Sequence, residues 1–352
     1  MSQDYGGLWL VGSQQGNSNA PDFSFYKSPD GGRTWVEDLQ LGSGSLLFAR
    51  LFDAQEGLVM WAYQGGEPLL FVTHDGGRHW IKRQSQILPL PRSCQFPDAT
   101  DGWCIGHGQT ATEVWATTDG GVTWSAVGQL PQRPVPTDPA FFDGRDGWVG
   151  TGVTGSGERL LLYRTQDGGR SWTPIELTPP STGYPGFGAQ LGPMEQLDTG
   201  LLATVLMVNE GSMGVGSPMA YYAYSSKDDG KTWSGPSLLW SGQVAFTGRP
   251  RILLLSPNRW LVATGPNVLM SRDAGHSWSR VALPLPAGYS VTVAAQGFRD
   301  GPYLVAQPPN CSQMSCSLLL GSDDAGATWS VRASSPAFAP GLQPPDTRGH
   351  GH

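Results

Sequence analysis

The chain has little charge, and less of it basic than acidic. Lys and Arg number 22 against 29 Asp and Glu in 352 residues, for a formal net charge of −7, and charged residues make up only 14%. No basic block is present, which argues against a nucleic-acid partner, whose phosphates call for clustered Lys and Arg. No apolar run approaches the ~20 residues of a membrane-spanning helix. The first dozen residues carry neither a basic start nor an apolar stretch, so no export signal is read there. There is no Gly-X-Y period, which excludes a collagen-like chain. Intrinsic disorder is excluded by 39% hydrophobic residues and 14 Trp. Helix breakers, by contrast, abound: 49 Gly and 29 Pro argue against a helical protein.

Cysteine is scarce and even in number: Cys94, Cys104, Cys311 and Cys316. Each pair is close in sequence, and Cys94 and Cys104 flank a hairpin-like stretch. Two local disulfides suit an oxidising compartment, with free thiols as the alternative. Zinc is disfavoured, because neither pair has CxxC spacing and no His pair lies nearby.

A repeat dominates what is present. Seven segments share Ser/Thr-x-Asp-x-Gly-x-Thr/Ser-Trp, centred on Asp30, Asp75, Asp119, Asp167, Asp228, Asp273 and Asp324, and each ends in a Trp, from Trp35 to Trp329. Only His79 departs from the Thr/Ser position. Successive Asp residues lie 45, 44, 48, 61, 45 and 51 positions apart. The physics of the motif is local. Asp caps backbone N–H groups of its own turn, Gly allows a left-handed backbone, and Trp buries a large ring with an N–H to place. A calcium loop would need a 12-residue series of ligands that these segments lack, so the motif reads as a structural turn.

A short apolar strand precedes each motif, as in 69–72, 160–163 and 221–224. Further upstream lies Asp/Glu-Gly followed by apolar residues, as at Asp101-Gly102-Trp103 and Asp146-Gly147-Trp148. Each unit reads as strand A, turn, strand B, loop, strand C, Asp turn, strand D. Four short antiparallel strands per ~45 residues, repeated in a ring, make a β-propeller blade.

These seven motifs resemble Asp boxes, also called BNR repeats, over nearly the whole chain. The cadence is most similar to photosystem II stability/assembly factor-like proteins, and less similar to sialidases, sortilin-type receptors and xyloglucanases. The resemblance implies an all-β fold, a single seven-bladed propeller over residues 1–340, followed by a flexible Pro/Gly/His tail at 341–352. Because enzymes and non-enzymes share the motif, it speaks to fold and not to function.

Only two strand candidates precede the first Asp box, so the first blade lacks its innermost strand. Part of residues 333–340 is expected to return and supply it. Functional loops are expected on the face opposite the Asp boxes, where B–C loops and D–A connections surround the channel. Two Gly-rich stretches of the fifth blade, 178–191 and 206–219, read as long loops there, carrying Tyr184 and Glu210. Arg92, Arg249 and Arg251, with Arg50, are candidates to fork onto a carboxylate or phosphate at the channel mouth, against the plainer reading of unrelated surface arginines. His107, read in a B–C loop, is a candidate base. Asp138, Glu158, Glu195 and Glu210 are the acids from which a glycosidase pair would be drawn. No sialidase Arg-Ile-Pro precedes the first Asp box, and no nucleophile elbow or phosphate loop occurs.

The resulting expectation is a non-enzymatic, extracytoplasmic binding or assembly propeller. It docks a protein partner, membrane-associated or not, on its loop face, as a monomer, with no cofactor, no metal and no catalytic residues. The alternatives are a carbohydrate-active enzyme (hydrolase or lyase) and a glycan-binding lectin. For location, a cytoplasmic protein is the alternative.

Overall fold

A computed structural model describes residues 8–334 apart from 15–21, 29, 31–32, 54, 64–66, 88–90, 108–110, 132–134, 153–158, 181–186, 198–199, 210–217, 244–250, 257, 265–266, 297–300 and 309–316. The described residues form seven antiparallel sheets in chain order. The first has three strands, β1 (Leu8–Gln14), β2 (Asp22–Ser28) and β3 (Val36–Gly42). The second comprises β4 (Gly44–Leu51), β5 (Gly57–Tyr63), β6 (Leu69–Thr73) and β7 (Ile81–Gln84). The third comprises β8 (Pro91–Gln95), β9 (Gly102–His107), β10 (Ala111–Thr117) and β11 (Ser125–Pro131). The fourth comprises β12 (Val135–Phe141), β13 (Gly147–Gly152), β14 (Leu161–Thr165) and β15 (Thr173–Glu176). The fifth comprises β16 (Phe187–Leu197), β17 (Gly200–Asn209), β18 (Pro218–Ser226) and β19 (Ser234–Gln243). The sixth comprises β20 (Arg251–Ser256), β21 (Arg259–Thr264), β22 (Asn267–Ser271) and β23 (Ser279–Val281). The seventh comprises β24 (Ser290–Gln296), β25 (Pro302–Gln307), β26 (Leu318–Gly321) and β27 (Ser330–Ser334).

The second strand of each four-stranded sheet explains why the sheets stack. Successive side chains of a strand point to opposite faces, and here both faces are buried. In β5, Leu58 and Met60 pack toward the third sheet, while Val59 and Trp61 pack toward Leu41 of the first. In β25, Leu304 and Ala306 join the sixth sheet, and Tyr303 and Val305 join Tyr26 and Trp35 of the first. The core is therefore a series of inter-sheet layers, and the first sheet lies between the second and the last.

Six sheets are complete four-stranded blades, so the structure has six blades and not the seven expected. The first sheet falls short because its Asp turn joins β2 to β3, which leaves it with the strands B, C and D and no strand A among the described residues. Of the stretch expected to supply that strand, residues 333 and 334 belong to β27, where Ala333 pairs with Leu319. Residues 335–340 and the tail at 341–352 lie outside the described residues.

The fifth sheet also corrects the sequence reading. Of the stretches 178–191 and 206–219, residues 187–191, 206–209 and 218–219 are strand, where Phe187 pairs with Asn209 and Val208 with Met219, and 181–186 and 210–217 lie outside the described residues. Strands of 11, 10, 9 and 10 residues take up much of the wide repeat spacing. Glycines obscured a stretch in which Leu206, Met207 and Val208 favour extended pairing. In the third sheet, Cys94 and Cys104 face each other across β8 and β9 and are joined by a disulfide, with Cα atoms 4.1 Å apart. Cys311 and Cys316 lie outside the described residues.

Candidate functional site

The repeated turns are closed on themselves. In the fourth sheet, Thr165 Oγ1 donates to Asp167 Oδ1 at 2.8 Å and accepts from Gly169 N at 2.9 Å. Ser171 N donates to the same carboxylate at 2.9 Å, and Ser171 Oγ at 2.5 Å. Trp172 Nε1 donates back to Gly169 O at 2.9 Å. The pattern recurs around Asp228, Asp273 and Asp324. At the odd turn, the His79 ring nitrogen Nδ1 meets Asp75 Oδ2 at 2.6 Å, so the imidazole stands in for the missing hydroxyl. The left-handed positions are Gly168 (φ 73°) and Gly169 (φ 89°); in the last three turns Asp229, Ala274 and Ala325 accept φ of 57°, 56° and 53° at the first of them.

Hydrogen bonds donated to a carboxylate favour its ionised form. Ser171's hydroxyl, and then its backbone N–H, hold Asp167 down to about 2. Thr232's backbone N–H and hydroxyl do the same for Asp228, also at about 2. These carboxylates are occupied within their own turns.

A second set of carboxylates supports the same face. Asp53, Asp98 and Asp143 each cap the A–B turn of their sheet, accepting the N–H groups of Gln55 and Glu56, of Thr100 and Asp101, and of Arg145 and Asp146. The turn then feeds the Asp turn beside it: Gly76 N donates to Gln55 O at 2.8 Å, Gly120 N to Thr100 O at 2.9 Å, and Gly168 N to Arg145 O at 3.0 Å. In these three sheets the sequence shows the second cap as an Asp three residues before Glu56-Gly57, Asp101-Gly102 and Asp146-Gly147.

The candidate binding residues divide between the two ends of the sheets. Arg92 sits on β8 and Arg251 opens β20, both on innermost strands at the end away from the Asp turns, in the third and sixth sheets. His107 is the last residue of β9, paired with Thr112, and not in the loop where it was expected. Arg50 lies at the other end: it pairs with Leu58 near the A–B turn, and its Nη1 donates to Phe96 O at 3.0 Å. It is therefore a link to the third sheet and does not serve the channel mouth. Tyr184, Glu210 and Arg249, with Glu158, lie outside the described residues. Asp138 is on β12 and Glu195 on β16. Among the described residues no group of three or more His, Cys, Asp or Glu is placed to hold a metal ion.

On the loop face, the connection from β23 to β24 encloses a recess of about 480 Å³. Arg280, Leu283, Leu285, Pro286 and Tyr289 line it, and Leu283, Leu285 and Tyr289 also pack on the core between the sixth and seventh sheets. An apolar floor with an aromatic and an Arg at its edge has the composition of a protein-contact surface. The stretch Leu-Pro-Leu-Pro between two strands was its only trace in the sequence.

Six antiparallel four-stranded blades, packed in a series that returns to the first sheet, make this an all-β propeller. Among known proteins, the chain is homologous to the photosystem II assembly lipoprotein Ycf48 of Synechococcus sp. (strain CC9902): 25% identical over 236 residues, which is 59% of this chain and 67% of that protein. No protein-family model matches the chain. In structure it is similar to the Niastella koreensis GH74 enzyme, with TM-score 0.50 and 12% identity, covering 95% of this chain and 65% of that one. It is also similar to YCF48 bound to D1 peptide, with TM-score 0.37 and 18% identity, covering 76% and 91%. The enzyme likeness concerns fold and not chemistry. Among the described residues no helix is long and apolar enough to cross a membrane.

Proposed function

We propose that this chain is a non-enzymatic assembly propeller that docks a protein partner on the face opposite its Asp turns. The observation that carries the reading is the sequence similarity to an assembly lipoprotein over 67% of that relative's length. Two features support it. The Asp-turn carboxylates are occupied within their own turns, and the loop face offers the recess around Leu283, Leu285 and Tyr289. Arg92 and Arg251 stand at strand ends on that same face and are assigned to the polar rim of the docking surface, with His107, Tyr184, Glu210 and Arg249.

In this reading the repeated turns are Asp boxes. The protein acts as a monomer outside the cytoplasm, at a membrane surface. Cross-linking in detergent-solubilised membranes of the source organism, followed by mass spectrometry, tests the docking. The expected outcome is one abundant membrane-complex subunit cross-linked to residues 280–289 or to the strand ends beside Arg92 and Arg251. Arg280→Glu with Pro286→Asp, both at exposed positions of the recess, is expected to lose that cross-link while the chain stays folded. Specific hydrolysis of a glycan by the purified chain, with no protein cross-link, would overturn the reading.

A further inference from the structure

At two joints between sheets, a donor from one sheet caps the carbonyl that follows the Asp of the next sheet's turn. Lys27, just before the first turn, donates through Nζ to Gly76 O of the second sheet. Trp103, the second residue of β9, donates through Nε1 to Gly168 O of the fourth sheet at 3.0 Å. The fourth sheet carries both kinds of donor for the fifth. Trp148 is the second residue of β13, and Arg164 precedes its own turn as Lys27 does. Neither nitrogen is matched: Trp148 Nε1 and Arg164 Nε are buried with no hydrogen-bond partner among the described residues, as is Asp146 Oδ1 beside Arg164. Trp148 nevertheless lies against the fifth sheet's turn, since a Cβ added at Gly230 would come within 2.8 Å of its Nε1.

Arg164 is a charged side chain with only 9% of its surface exposed, and its guanidinium stands 5.6 Å from the Trp148 ring. Its ion partner is distant, with Asp146 Oδ1 3.7 Å from Nη2, beyond hydrogen-bond reach. Arg164 opens on a groove of about 350 Å³ shared with Gln166, Ser171, Thr173 and, from the fifth sheet, Lys231. Asp167 also borders it, but its oxygens are taken by Thr165 and Ser171. Apart from Asp146, the groups left without partners here are donors, and two of the groove's side chains are cationic. Burying unmatched donors is costly, and an acceptor-rich ligand would recover that cost.

We propose that the joint between the fourth and fifth sheets is an oxyanion site, taking a carboxylate or a phosphate between Arg164 and Lys231, with the Trp148 ring behind Arg164 as a reporter of its occupation. A planar guanidinium suits either group by forked hydrogen bonds, and the groove's size limits the ligand to a small anion or the exposed end of a larger one. The site is separate from the docking face and does not depend on it.

The test is titration of the full chain with acetate and, separately, with inorganic phosphate. Both are run at constant ionic strength against chloride, following the Trp148 indole N–H resonance assigned with Trp148→Phe. The expected result is a saturable shift with one anion or both, with half-saturation moved about tenfold or more higher in Lys231→Gln. Lys231 is exposed, so this variant keeps the fold even where Arg164→Met does not. A response to acetate alone assigns a carboxylate ligand, and a response to phosphate alone assigns a phosphate. An indole resonance unmoved by either anion, or moved equally in Lys231→Gln, overturns the proposal.

Discussion

Trp103 and Trp148 hold the same place in consecutive sheets, yet their surroundings differ. At the joint between the third and fourth sheets, Trp103 stacks on Phe141 with centroids 4.0 Å apart and 7° between planes, and its N–H is bonded to the next turn. Gln95 adds a double latch, donating to Phe141 O at 2.9 Å and accepting from Phe141 N at 2.8 Å. Gly128 of β11 passes so close to the next turn that an added Cβ would stand 2.1 Å from Gly169 O. At the following joint, Trp148 sits tilted at 51° to Phe142, 5.5 Å away, and its N–H is unmatched. What crosses instead includes the buried Tyr224 hydroxyl, which donates to Thr178 O at 2.7 Å. The repeat builds each turn in the same way. How tightly one turn grips its neighbour is decided by residues outside the repeat, such as Gln95, Gly128 and Phe141.

The largest expected effect breaks both joints together. Asp167 and Asp228 are each held at about 2, far below the ordinary carboxylate value near 3.9 of an unfolded chain. A depressed folded pKa contributes stability that is fully present above the unfolded value and is lost as pH falls through the folded one. Denaturant midpoints should therefore hold steady from neutrality to about pH 5, decline below about pH 4, and fall furthest toward pH 2. Asp167→Asn should show a lower midpoint at neutral pH and a shallower decline in acid. A slope unchanged by that substitution would show that the turn carboxylates do not govern acid stability.

A narrower effect separates the joints. Gly128→Ala forces a methyl onto the Gly169 carbonyl and should cost about 2–3 kcal/mol, as overpacking against backbone does. Gly106→Ala in the same sheet is the control: its nearest neighbour, Trp115 Nε1, would be 3.8 Å away, so a change below about 0.5 kcal/mol is expected. Equal effects of the two substitutions in urea unfolding would mean that β11 moves aside and the third joint is not as tight as it looks.

The strands and turns were legible in the sequence because each depends on local chemistry. Asp, Gly and Trp at fixed offsets specify a turn without help from the rest of the chain, and the apolar run before each is a strand with at least one buried face. Closure of the first sheet was not legible in this way, since it depends on which distant segment pairs with β1. The extent of the fifth sheet was hidden by its glycines. The joints were hidden more deeply still. Arg164 reads as one more basic residue before a Thr-x-Asp motif, and only the fold shows that it is buried beside an unmatched indole. Arg50 misled for the same reason: its strand was legible, but which end of the sheet it occupied was not.

The finest comparison is between the two tryptophans themselves. Replacement of either by Phe removes a similar amount of ring surface from a buried site, with Trp103 and Trp148 each 3% exposed. The loss of packing is therefore common to both. Trp103→Phe also leaves Gly168 O without its indole donor, a penalty of about 1–2 kcal/mol. Trp148→Phe loses no hydrogen bond and removes a buried N–H that had none. Trp103→Phe should thus be the more destabilising of the two by about 1–2 kcal/mol when both are measured by urea unfolding in chloride buffer free of phosphate and carboxylate. If the two substitutions cost the same in chloride, the indole of Trp148 has an acceptor in solution, and the asymmetry of the two joints fails.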